Sequence, residues 1–137
     1  MAGTSRRHNL LLTVVVVAVS GCASAPISLS QARPGERHAY AERGPSTAIV
    51  TVIRDSGIQS AACPTEISVD GRPAGTIWPS QAVQLHIPAG EVILGARTTC
   101  LGGPVEREAR LVAGQRLFFR VAYDHNGSLQ FGRTIER

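Results

Sequence analysis

Few residues in this chain have the type and spacing to do chemistry: Cys22, Cys63 and Cys100, the histidines His38, His86 and His125, and a single tryptophan, Trp78. A zinc site calls for thiolates or imidazoles at short repeated spacings, so that two ligands leave one turn or one helix face together. None of these cysteines stands in such a pair, and the histidines are scattered over distant segments. A serine nucleophile raised on a strand-to-helix elbow would be written GxSxG, which the sequence lacks. Asp124-His125-Asn126-Gly127 begins like a calcium loop, but its glycine falls too early and no glutamate closes it at the required distance. It reads as a turn. The sequence therefore offers no catalytic set, no metal site and no cofactor beyond a covalent lipid, for which the case follows. Trp78, just before Pro79, has two readings. A lone tryptophan usually buries its large apolar area, which favours a core plug at a strand end; the other reading is an exposed platform for a sugar or a partner.

The amino-terminal segment carries Arg6 and Arg7 ahead of the apolar stretch Leu10–Val19. That is the order of a signal peptide. Ten residues at about 1.5 Å each cover roughly half of a ~30 Å hydrocarbon core, too little for a permanent membrane span. Val19-Ser20-Gly21-Cys22 follows: an aliphatic residue, two small residues, then cysteine. This resembles the lipobox of bacterial lipoproteins. The resemblance implies cleavage before Cys22, a diacylglyceryl group on its thiol and acylation of the new amino terminus. Two or more chains hold a protein on its bilayer where one does so only marginally. Ala23, where an aspartate would favour retention at the inner membrane, implies by the same resemblance the periplasmic face of the outer membrane.

With Cys22 lipidated, Cys63 and Cys100 are left as a pair in an oxidising compartment, and a disulfide is the expected outcome. It would close a loop of roughly 38 residues, for which chain entropy gives about 4 kcal/mol at most. The competing readings, a metal site or a reactive thiol, lack a nearby histidine or CxxC partner. Loss of the leader also removes Arg6 and Arg7, so the formal charge of +4 falls to +2. The remaining arginines alternate with acids, as in Glu106-Arg107-Glu108, and form no basic stripe. Nucleic acid is not an expected partner.

These residues must be positioned by a β domain. Residues 22–46 mix Pro26, Pro34 and Pro45 with glycine, serine and charge, and read as a lipidated terminus and flexible tether, although Tyr40 could dock. From 47 onward the chain breaks into short β-branched runs with turn residues between them. Expected strands are Thr47–Arg54, central because both faces are apolar, Glu66–Val69, Arg72–Ile77, Ala82–Ile87, Glu91–Thr98, Val105–Leu111, Arg116–Tyr123 and Leu129–Ile135. Asp70-Gly71 marks a two-residue hairpin. Pro73 and Gly75 suit an edge strand, which could accept a strand from a partner. The expectation is an all-β fold, a small antiparallel sandwich of about seven or eight strands over residues 47–137, after a leader at 1–21 and a tether at 22–46.

The run Ile67-Ser68-Val69-Asp70-Gly71-Arg72-Pro73-Ala74-Gly75, then Leu85-His86-Ile87-Pro88-Ala89-Gly90-Glu91, and later Gly114 before Leu117-Phe118-Phe119, resembles the small PEGA-like β domains and the short proteobacterial lipoproteins built around them. The cysteine pair departs from the PEGA repeat. The resemblance implies an Ig-like envelope module with no catalytic residues to carry over. Two functions are consistent with these readings. One is a non-enzymatic binding or assembly module docking an unidentified envelope protein. The other is a periplasmic receptor for a glycan or small solute that uses Trp78.

Overall fold

The computed structural model describes residues 24–100 and 102–136. The leader and Cys22 lie outside them. Ten strands follow a single turn of 3-10 helix at Leu29–Gln31: β1 (Arg33–Pro34), β2 (Glu36–Arg37), β3 (Thr47–Arg54), β4 (Thr65–Val69), β5 (Arg72–Ile77), β6 (Gln81–Pro88), β7 (Gly90–Thr98), β8 (Val105–Leu111), β9 (Arg116–Tyr123) and β10 (Leu129–Thr134). They form two five-stranded sheets, ordered β1-β6-β3-β9-β10 and β2-β5-β4-β7-β8. The eight strands expected from alternation are β3 to β10. The count rises to ten because the segment expected to be a tether supplies β1 and β2.

Alternation explains the core. Val50 and Val52 of β3, Val83, Leu85 and Ile87 of β6, and Leu117, Phe119 and Val121 of β9 point inward from the first sheet. Ile67 and Val69 of β4, with Val92, Leu94 and Ala96 of β7, meet them from the second. β3 is buried on both faces and central, as its largely apolar run requires. Asp70 and Gly71 both take positive φ, 50° and 74°, in the β4–β5 hairpin. The ladders are mostly antiparallel, but β3 runs parallel to β9 and the short β1 parallel to β6. The chain leaves β8 in one sheet and turns through residues 112–115 into the other. It thus enters β9 at the end where β3 begins, and Gly114 N–H donates to Thr47 O there.

Residues 33–37 change sheets. β1 pairs with β6 in the first sheet and β2 with β5 in the second, so one short run closes that flank of the sandwich. Gly35 is the switch point. Its N–H donates to Ala82 O at 2.8 Å, and a Cβ there would lie 2.6 Å from Ile77 Cγ2 and 2.9 Å from Thr76 O. Ile77 is fully buried and the carbonyl belongs to a paired strand, so neither neighbour can yield cheaply. Gly35→Ala is expected to cost about 1–3 kcal/mol, read as a lower thermal midpoint; an unchanged midpoint would mean that the flank is not closed as described.

The partner edge expected beside Pro73 is therefore not free. Glu36 and Arg37 pair with Thr76 and Gly75, and the N–H groups of His38 and Ala39 both reach Ala74 O. Tyr40 docks, packing on the core while its carbonyl accepts from His86 N–H. Among the described residues the open flank is the opposite one, where β8 and β10 end their sheets.

Candidate functional site

Cys63, Cys100 and Trp78 stand at one end of the sandwich, where β3, β5, β7 and β9 finish. β4 and β7 are antiparallel with Thr65 opposite Thr98. Continuing that register places Pro64 opposite Thr99, whose N–H donates to Pro64 O, and Cys63 opposite Cys100. The two cysteines are joined, with Cα atoms 5.8 Å apart. The disulfide thus extends a ladder; it is a cross-strand bridge. Cys63 is buried and Cys100 exposed.

Beneath the bridge lies an arginine. Val50, Val52 and Arg54 occupy alternate positions of β3, so the strand that drives two valines into the core drives Arg54 in as well, leaving it 1 % exposed. Its Nη1 donates to Cys63 O (2.7 Å), Thr65 Oγ1 (3.2 Å) and Ile77 O (3.4 Å), and its Nη2 donates to Ser60 O (2.8 Å). The guanidinium stands 4.8 Å from the ring centroid of Tyr123, whose hydroxyl shares a 2.8 Å hydrogen bond with Thr65 Oγ1. Among the described residues the ion pairs are Arg97 with Glu66 and Arg120 with Asp55, so Arg54 is held by carbonyls and an aromatic face and by no carboxylate. Burial pulls its pKa below the ordinary arginine range, against the pull of Tyr123 in the other direction. A guanidinium remains charged even so.

Asp55, the next residue, faces the other side of the sheet and is 3 % exposed. It pairs with Arg120 and accepts from Ile27 N–H, while Arg120 donates to Ile27 O. Burial pushes the Asp55 carboxyl above its usual range; the hydrogen bond and charge of Arg120 and the Ile27 N–H act against it. The pair clamps the backbone of the amino-terminal segment. Upstream, Ser24 N–H donates to Tyr123 O, Tyr123 N–H donates to Ser24 Oγ, and Ala25 and Ser56 exchange backbone hydrogen bonds. Residues 24–27 are therefore fastened to the domain, and the flexible tether expected from their composition is a docked segment.

Trp78 is at this same end but 41 % exposed, so it is not the core plug favoured by its chemistry. The space below the end of β5 holds Arg54, which donates to Ile77 O, and the chain turns tightly after it, Gln81 N–H donating to Trp78 O. Ile58, on the loop after β3, is 75 % exposed. The histidines are not brought together. His38 Nε2 meets Thr76 Oγ1 at 2.9 Å, half-buried His86 has an Nδ1 without a partner among the described residues, and His125 is exposed. Among the described residues no cluster of three or more histidine, cysteine or acidic side chains could hold a metal. Two concavities, of about 620 and 510 Å³, lie between residues 29–37 and β6 and on the outer face of β7 and β8, and Trp78 lines neither.

Sequence reasoning missed Arg54, Tyr123 and the Asp55–Arg120 clamp. The signal was present in the strict alternation of Val50, Val52 and Arg54, and of Phe119, Val121 and Tyr123. What the arrangement can do chemically is hold three loops and an amino-terminal segment rigidly together. No known protein family, no characterised protein and no solved structure matches this chain.

Proposed function

We propose that this protein is a lipid-anchored envelope module that binds or assembles with other envelope components and performs no catalysis. Cys22 carries the lipid on the periplasmic side of the outer membrane, and the PEGA-like sandwich is the working part. The observation that carries the reading is the junction between the two: the lipobox cysteine lies two residues before Ser24, and Ser24 is hydrogen-bonded in both directions to Tyr123. A protein partner adds at the open flank of β8 and β10, since the β5 edge is taken by the chain itself. The second reading, a receptor for a glycan or small solute, draws on the exposure of Trp78. A receptor commonly encloses its ligand in a cleft, and neither concavity described above includes that residue.

The test is metabolic labelling with a fatty-acid analogue in cells making the full chain. The wild-type protein takes up label and fractionates with membranes, whereas Cys22→Ala takes up none and retains its leader. Equal labelling of the two would overturn the anchor.

A further inference from the structure

The end of the sandwich that carries the disulfide has an unusual composition. Four stretches form most of its described surface: residues 24–32, 56–64, 78–80 and, leaving out 101, 99–104. None contains a lysine, arginine, aspartate or glutamate, in a chain of which 18 % is charged. The remaining loop there, 124–128, holds Asp124, which is turned onto the N–H groups of Asn126 and Ser128. At the opposite end stand Asp70, Glu91, Glu42 and Arg43, all exposed. Exposed loops usually carry charge, so an end whose loops offer only Asp124, bordered by Arg33 with its guanidinium on Pro79 O, and which exposes Ile58 and Trp78, calls for a partner that is not water.

Chain geometry names that partner. Ser24 is pinned at this end, and two residues reach at most about 7 Å, so Cys22 is confined to its neighbourhood. β3 has eight residues, which places the opposite end about 25 Å away, beyond what so short a link could bring to the bilayer. We infer that the disulfide end rests on the lipid surface itself, with Trp78 and Ile58 entering the boundary between headgroups and acyl chains. Tryptophan favours that boundary because its ring is apolar and its N–H can still meet water or a headgroup. The patch and the lipid on Cys22 then act as one two-part anchor that fixes the orientation of the domain. Arg54 keeps the patch in shape, since it binds carbonyls of Ser60 and Cys63 on the loop that carries Ile58 and the carbonyl of Ile77 beside Trp78.

The inference rests on the lipidation of Cys22, and the experiment separates the two. The full chain is produced with its leader, extracted from membranes and reconstituted in vesicles of phosphatidylethanolamine and phosphatidylglycerol. Mass spectrometry of the amino-terminal peptide reports the lipid. Trp78 is the only tryptophan, so intrinsic fluorescence reports its surroundings without labelling. The expected result is a blue-shifted emission, quenching of roughly two-fold or more by lipid brominated near the top of the acyl chain, and weak quenching by aqueous acrylamide. Ile58→Asp reduces the bromolipid quenching while the protein still floats with the vesicles. A lipidated, floating protein whose tryptophan is open to acrylamide and untouched by bromolipid overturns the orientation and leaves the anchor standing. An amino terminus without lipid overturns both.

Discussion

Arg54→Leu is expected to lower the unfolding free energy by about 3–5 kcal/mol, because each dry acceptor left without a donor costs roughly 1–3 kcal/mol. Leucine fills much of the volume, so the loss is one of hydrogen bonds more than of packing. The carbonyls of Ser60, Cys63 and Ile77 lose this donor together, while the hydroxyl of Thr65 keeps that of Tyr123 as a partner. Arg54→Lys should recover less than half of that loss. Lysine keeps the charge, but its single ammonium cannot serve Ser60 on one side and Cys63 and Ile77 on the other as a planar fork does. Urea unfolding with the disulfide intact gives the comparison. A leucine variant within about 1 kcal/mol of wild type would mean that water replaces the guanidinium, and with it that this end is less closed than the burial of Arg54 implies.

The second large effect is expected from the cysteine pair. Replacing both Cys63 and Cys100 by alanine should lower stability by about 3–4 kcal/mol, chiefly by freeing the unfolded chain. The native fold should survive, because the β4–β7 ladder beneath the bridge has five paired positions of its own and Thr99 still reaches Pro64. Circular dichroism of the double variant should therefore match that of wild type below its unfolding transition, while the urea midpoint falls. Single replacement of Cys63 is more damaging in practice, since it leaves a thiol on exposed Cys100 that can pair between molecules. A double variant as stable as wild type would mean that the bridge constrains little, and that the ladder register is secured by the ladder alone.

How much of this was legible in the sequence depended on whether a residue's position followed from its own neighbours. β3 to β10 were legible because side-chain alternation and turn chemistry are local, and Asp70-Gly71 marked its hairpin by demanding positive φ twice. β1 and β2 were not. Arg33-Pro34-Gly35-Glu36-Arg37 has no apolar alternation, and its extended form is imposed by the β6 and β5 edges it caps. The parallel pairing of β3 with β9 was equally hidden, because turn residues show that a chain reverses and do not show which sheet it enters. At the site, the cysteine pair followed from counting. Trp78 was misplaced because its preference for burial is an average, and here an arginine from the strand β3 already occupies the space. The clamp on Ile27 joins residues 28 and 93 positions apart, a relation no local pattern carries.

The sheet switch at Gly35 has a bearing on self-association. A sandwich with four bare edges can stack indefinitely, each molecule offering one flank to the next. Here residues 33–37 seam one flank shut, and β8 and β10, bare among the described residues, lie together on the other. Edge-to-edge joining between copies then saturates when two open flanks meet around a twofold axis, and a growing fibre has no second flank from which to continue.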